Sequence, residues 1–231
     1  MSNLHKPIIV TIGSGGTGKS TVSRLVYDFA GLDERAEVPV FDCDMDGNRD
    51  LHKIAPHRIQ VMNLGNSEFI HRLVAEANAE TPVLVDLPSS CLPRFSDALT
   101  PEIVQELKST VGVQWLPVYM ITARNSSIPV LRAWRDQVWG DIPAVIVVSQ
   151  KDGLVKAETV EEVRYQHDIV IRLPKLDIEL AAYADAAACT WKHLLEGNAV
   201  LDNPLRIMQL KRIRDEFEKE LRPLLAHFQV K

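Results

Sequence analysis

"TIGSGGTGKST" occupies Thr11–Thr21. Four glycines, at 13, 15, 16 and 18, crowd ahead of a single lysine, Lys19. Glycine alone enters left-handed backbone without steric cost, so such crowding marks a place where the backbone must curl tightly. Upstream, "PIIVTIG" (7–13) is a short apolar run of the kind found in buried strands. Downstream, helical periodicity runs from Lys19 to about Ala30. Gly13, Gly18, Lys19 and Ser20 satisfy G-x-x-x-x-G-K-[ST], and the strand–turn–helix context is the one that this pattern requires.

The chemistry of phosphate explains the composition. A curled glycine loop turns successive backbone N–H groups inward as an anion nest. The following helix adds its free N–H groups and the positive end of its dipole. Lys19 is placed to reach the β- and γ-phosphates, Ser20 to ligate Mg²⁺, and Thr21 to approach the α-phosphate.

Strands and helices alternate along the rest of the chain. Strand patterns cover 37–44, 58–65, 82–88, 115–122, 143–150 and 168–174. Helical patterns cover 67–79, 101–111, 130–138, 177–195 and 204–229. This order argues for βαβ units, hence an α/β fold with a mainly parallel sheet covered by helices on both faces. No repeat or low-complexity linker interrupts it. The expectation is one domain over 1–231, with a core of about 7–195 and a C-terminal helical extension at about 204–229. Right-handed crossovers then align the strand C-terminal ends along one edge, where ligands of open α/β sheets bind.

Two acidic stretches end strands on that edge. "FDCDMDGN" (41–48) carries Asp42, Asp44 and Asp46, and "VLVDLPSS" (83–90) places Asp86 after three apolar residues. A carboxylate at a buried strand end is costly unless a cation or donors face it. Asp86 is therefore the magnesium candidate beside Ser20. Asp42, Asp44, Asp46 and Gly47 also match the start of a calcium loop, but the glutamate six residues after the glycine is missing.

Composition narrows the classes. The 231 residues carry a net charge of −5, which does not suit a bulk nucleic-acid binder. The three cysteines, Cys43, Cys91 and Cys189, form no C-x-x-C pair and suggest neither zinc nor a disulfide framework. The opening "MSNLHKPIIV" lacks a signal-peptide layout, and no apolar run reaches about 18 residues. A cytoplasmic location follows as the expectation.

"SGGTGKST", "FDCDMDGN" and "VDLPSS" together resemble the ParA/MinD group of P-loop ATPases in order and spacing. The resemblance implies a P-loop NTPase fold, ATP and Mg²⁺ as cofactors, and an ATPase that is slow or partner-stimulated. Carried across, Gly15, Gly16, Thr17, Gly18, Lys19, Ser20 and Thr21 hold phosphates, and Ser20 and Asp86 hold the metal. Lys19 and Asp44 are the catalytic pair, with Asp44 positioning the attacking water, and Asn48 matches the switch asparagine. Gln150, Lys151 and Asp152, with Pro174 in "LPKLD" (173–177), fall where the group contacts the base. "SQKD" (149–152) does not meet the guanine pattern N-K-x-D, which favours ATP. The chain departs from the group at Ser14, where the signature lysine that crosses a face-to-face dimer is expected.

Within the group, size and the missing lysine look most similar to plasmid accessory ATPases of the StbB/TraL kind. That resemblance implies a role in plasmid partition, stability or conjugative transfer. It also implies a plasmid-encoded DNA-binding partner, nonspecific DNA contact and a nucleotide-dependent homodimer. Two alternatives share the phosphate loop. One is a small-molecule kinase, with Arg124, Arg132 and Arg135 available for an arginine-rich lid; the other is a nucleotide-binding scaffold with little turnover. The final helix presents Ile213, Phe217, Leu221, Leu224 and Phe228 at helical spacing, the pattern of a core-packing face, with a basic opposite face.

Overall fold

The computed structural model describes residues 7–45, 51–64, 68–77, 81–124, 126–174, 190 and 204–228. Seven strands run through them: β1 (Pro7–Ile12), β2 (Val40–Asp42), β3 (Gln60–Val61), β4 (Val83–Asp86), β5 (Gln114–Ile121), β6 (Val145–Ser149) and β7 (Ile169–Leu173). All pair in parallel, in the order β3-β2-β4-β1-β5-β6-β7. The helices are α1 (Lys19–Phe29), α2 (Glu68–Ala77), α3 (Leu92–Ser96), α4 (Pro101–Glu106), α5 (Ser127–Trp134), α6 (Ala157–Glu161) and α7 (Pro204–Leu225). The expected helix at 177–195, together with Asp46, Gly47, Asn48 and Cys189, lies outside the described residues.

Strand side chains alternate between two cores, as the pleat requires. Ile8, Val10 and Ile12 face one core with Phe69, Leu73, Phe95, Val104, Leu131 and Trp134, which come from α2 to α5. Ile9, Leu84, Val145 and Val147 face the other with Val22, Leu25 and Val26 of α1 and Phe217, Leu221 and Leu224 of α7. The near-continuous apolar strands thus belong to a sheet covered on both faces. The apolar stripe of α7 packs into the core, against α1 and β7.

Several elements are shorter than their patterns. The 37–44 run yields only Val40–Asp42, because the Asp42 carboxylate takes the N–H groups of Asp44 and His52 and turns the chain out of the ladder. The 58–65 run yields only Gln60–Val61, since Arg58 and Ile59 spend their N–H groups on a turn closed at the Ala55 carbonyl. The helix expected at 101–111 is α4 followed by a π-type turn, Leu107–Val111, stopped by Gly112 at φ 81°. The short helices α3 and α6 have too few residues to show a period.

Register then builds the edge. Thr11 of β1 lies opposite Asp86 of β4, and Asp86 lies opposite Asp42 of β2. The glycine loop therefore emerges from the strand next to the one that ends in Asp86.

Candidate functional site

The loop between β1 and α1 takes the shape its composition demands. Gly16 and Gly18 adopt φ of 73° and 99°, left-handed values that a side chain would strain. Thr17 is fully buried, and its Oγ1 donates to the Ser14 carbonyl at 2.8 Å, closing the curl from inside. Gly18 caps α1, so the first N–H groups of that helix open onto the same space.

A polar cleft of about 240 Å³ lies over this loop. Its described walls are Gly15, Gly16, Gly18, Lys19, Ser20, Thr21 and Arg24, then Asp44, then Asp86 to Ser89, and Lys151. Lys19 is 8% exposed, and its Nζ donates to the Ser14 carbonyl at 3.3 Å. Burial lowers its pKa, while Asp86, Cys91 and Asp44 pull it back up. A buried ammonium facing a polar cleft is an arrangement for an anionic ligand.

Asp86 is 4% exposed. Its Oδ1 accepts from Thr11 Oγ1 at 2.6 Å and from Ser23 Oγ at 3.0 Å. Burial pushes its pKa up to about 6, the charge of Asp42 adds to this, and the hydroxyls of Thr11, Ser20 and Ser23 oppose it. Ser20 and Asp86 thus meet as an oxygen pair around a poorly compensated negative charge. Hard divalent cations prefer such donors, so the pair fits Mg²⁺. Asp42 behaves differently. Both its oxygens accept backbone N–H groups, at 3.0 Å from Asp44 and 2.9 Å from His52, so it anchors the loop that carries Asp44. His52 is half-buried, and its Nδ1 lies 2.7 Å from the Ile59 carbonyl.

The structure brings Gly15, Gly16, Gly18, Lys19, Ser20, Thr21, Asp44 and Asp86 into one cleft. Gln150, Asp152 and Pro174 stand at the ends of β6 and β7 and are not among its described walls. Asp152 is engaged by Arg124, with Nε to Oδ2 at 2.9 Å. Arg135, offered for a kinase lid, is 3% exposed and ion-paired with Asp168, so it holds the core instead. Arg24 was not singled out by the sequence. It is 6% exposed in the cleft wall, four residues after Ser20 and therefore on the same helix face, which was the available signal. Thr11 and Ser23 carry no signal in the sequence, because only the register of β1 on β4 and the packing of α1 over them bring both hydroxyls to Asp86.

No family model and no curated protein sequence matches the chain. Solved structures do match in fold. A chain of the MinC:MinD cell division protein complex of Aquifex aeolicus superposes with a TM-score of 0.53 at 14% identity, covering 95% of this chain and 96% of that one. A ParA family ATPase from Chlorobium tepidum gives 0.51 at 12% identity, covering 95% and 100%. The fold is that of the P-loop NTPases.

Proposed function

We infer that the chain is a nucleotide-dependent switch ATPase that takes ATP with Mg²⁺. One observation carries this reading: a left-handed glycine loop, a buried lysine and a buried carboxylate converge on one strand-end cleft. The amides of residues 15–21 hold the phosphates, and Lys19 sets its charge against the β- and γ-oxygens. Ser20 and Asp86 hold Mg²⁺, which when bound neutralises phosphate charge. Asp44, at the cleft wall, orients the water that attacks the γ-phosphate in line. Gln150 and Pro174 flank the base side.

Ser14 presents no charge, and its Oγ takes a hydrogen bond from Ser126 at 3.3 Å. Turnover is therefore slow or partner-stimulated. The setting we assign is the cytoplasm, in plasmid partition, plasmid stability or conjugative transfer. ATP would control association with a plasmid-encoded DNA-binding protein, with nonspecific DNA, or with a second copy of the chain. The supports are the motif order and the full-length likeness in fold to a ParA family ATPase. No described helix is long and apolar enough to cross a membrane.

Ser14 also favours a second reading, a nucleotide-binding scaffold with little turnover. Phosphate release from ATP, with and without DNA and candidate partners, separates the two when Lys19→Ala is run beside wild type. The ATPase reading expects release that Lys19→Ala abolishes. Tight binding with no release in any condition leaves the scaffold, and phosphate transferred to an added small molecule would make the protein a kinase.

A further inference from the structure

Arg124 lies just past β5, outside the walls of the cleft, yet three of its nitrogens are engaged around the site. Nε and Nη2 bind Asp152 in a fork, at 2.9 Å to Oδ2 and 3.2 Å to Oδ1. Nη1 donates to the Gly15 carbonyl at 3.1 Å. The same Nη1 fills the space over Gly16, where an added Cβ would come within 2.8 Å. A neighbour in the same segment, Ser126, donates from Oγ to Ser14 Oγ. One short segment after β5 therefore grips three consecutive residues of the phosphate loop, 14 to 16.

Asp152 belongs to the loop after β6, and its neighbour Lys151 is a wall of the cleft. Gly153 closes that loop with its N–H on the Gln150 carbonyl and a φ of 124°. Arg124 thus bridges the loop that would hold phosphate and the loop that would flank the base. Each oxygen of Asp152 already carries a guanidinium N–H, the planar bidentate match that only arginine makes. The fork fixes the plane of the carboxylate on the guanidinium, so Asp152 is held by Arg124.

We propose that Arg124 is a positioning residue that clamps the phosphate loop to the loop after β6, and that Asp152 acts through Arg124 and not on the base. The binding part of this inference rests on the nucleotide reading above. The clamp itself is a property of the ligand-free protein and is tested there.

Hydrogen exchange of the ligand-free chain is compared for wild type, Arg124→Ala, Asp152→Ala and the double variant. Both single variants are expected to speed exchange of amides in 14–18 and 150–153. Calorimetry with ATP and with GTP, each with Mg²⁺, follows on the same proteins. Each single variant is expected to raise Kd by about tenfold, by the same factor for both nucleotides, and the double variant no further. Arg124→Lys is expected to behave as Arg124→Ala, because an ammonium cannot make the fork. Arg124 is 46% exposed at its side chain, so these variants should fold with melting temperatures within about 4 °C of wild type.

Unchanged exchange in Arg124→Ala overturns the clamp whatever the nucleotides do. Additive losses in the double variant, or an ATP/GTP ratio altered by Asp152→Ala and untouched by Arg124→Ala, overturn the role given to Asp152. If wild type binds neither nucleotide while exchange responds as expected, the clamp stands and the nucleotide reading falls.

Discussion

At Asp86 a buried carboxylate is held against its electrostatic interest. Its folded pKa of about 6, raised chiefly by burial, lies above the ordinary value near 3.9. The folded chain therefore binds more protons than the unfolded chain between these values, and stability falls as pH rises from about 4 to about 6. The whole loss is about 3 kcal/mol, since each pKa unit corresponds to about 1.4 kcal/mol. Asp86→Asn keeps an acceptor for Thr11 and Ser23 but removes the charge. Urea denaturation of the ligand-free protein at pH 7.5 should show a gain of about 1–3 kcal/mol, with a flatter slope between pH 4 and 6. An unchanged slope would show that Asp86 is not the titrating group. Gly16→Ala should act in the opposite direction, losing about 1–2 kcal/mol to left-handed strain and pushing Arg124 aside. Lys19, Ser20 and Asp86 were legible in the sequence because local spacing places them. Arg24 was open to the helix-face spacing from Ser20, whereas the crossing of Arg124 between two loops appears only after folding.

Among the elements, the end of α5 depends on one buried pair. Arg135 and Asp168 are 3% and 8% exposed, and the carboxylate also accepts the N–H groups of Ala144 and Tyr165. The Arg135 guanidinium lies 3.8 Å from the centre of the Tyr165 ring. Asp168 thus joins α5 to the starts of β6 and β7. Asp168→Ala leaves a buried cation unpaired and two N–H groups without their acceptor. A loss of about 3–5 kcal/mol in chemical denaturation is expected, and a loss under about 1 kcal/mol would show the pair to be dispensable. The strands were legible as apolar runs, but not their ends. Side-chain capture of backbone N–H groups at Asp42, and the turn at Ala55, shorten β2 and β3 below what composition suggests. Trp134 and Trp139 are both buried and their rings stack, with centroids 6.2 Å apart.

For the whole molecule, alternation of strands and helices was enough to give a parallel sheet with both faces covered. It did not give the strand order, in which β4 inserts between β2 and β1 and so brings Asp86 beside the glycine loop. The C-terminal helix closes one face. Phe217, Leu221, Leu224 and Phe228 are buried there, and the Phe228 carbonyl accepts from Arg35 beyond α1. Leu221→Ala should lower stability by about 2–4 kcal/mol without changing nucleotide affinity. A variant that kept its stability would place α7 outside the core. A nucleotide-dependent dimer is checked by light scattering with a non-hydrolysable ATP analogue, where a doubled mass is expected and an unchanged mass counts against the dimer. Calorimetric titration of Mg-ATP into wild type and Lys19→Ala tests whether the glycine loop, Lys19 and Asp86 form one nucleotide site. Saturable binding by wild type, weakened at least about a hundredfold in Lys19→Ala, is the expected result. Equal affinity in the two proteins, or no binding by wild type, would contradict it.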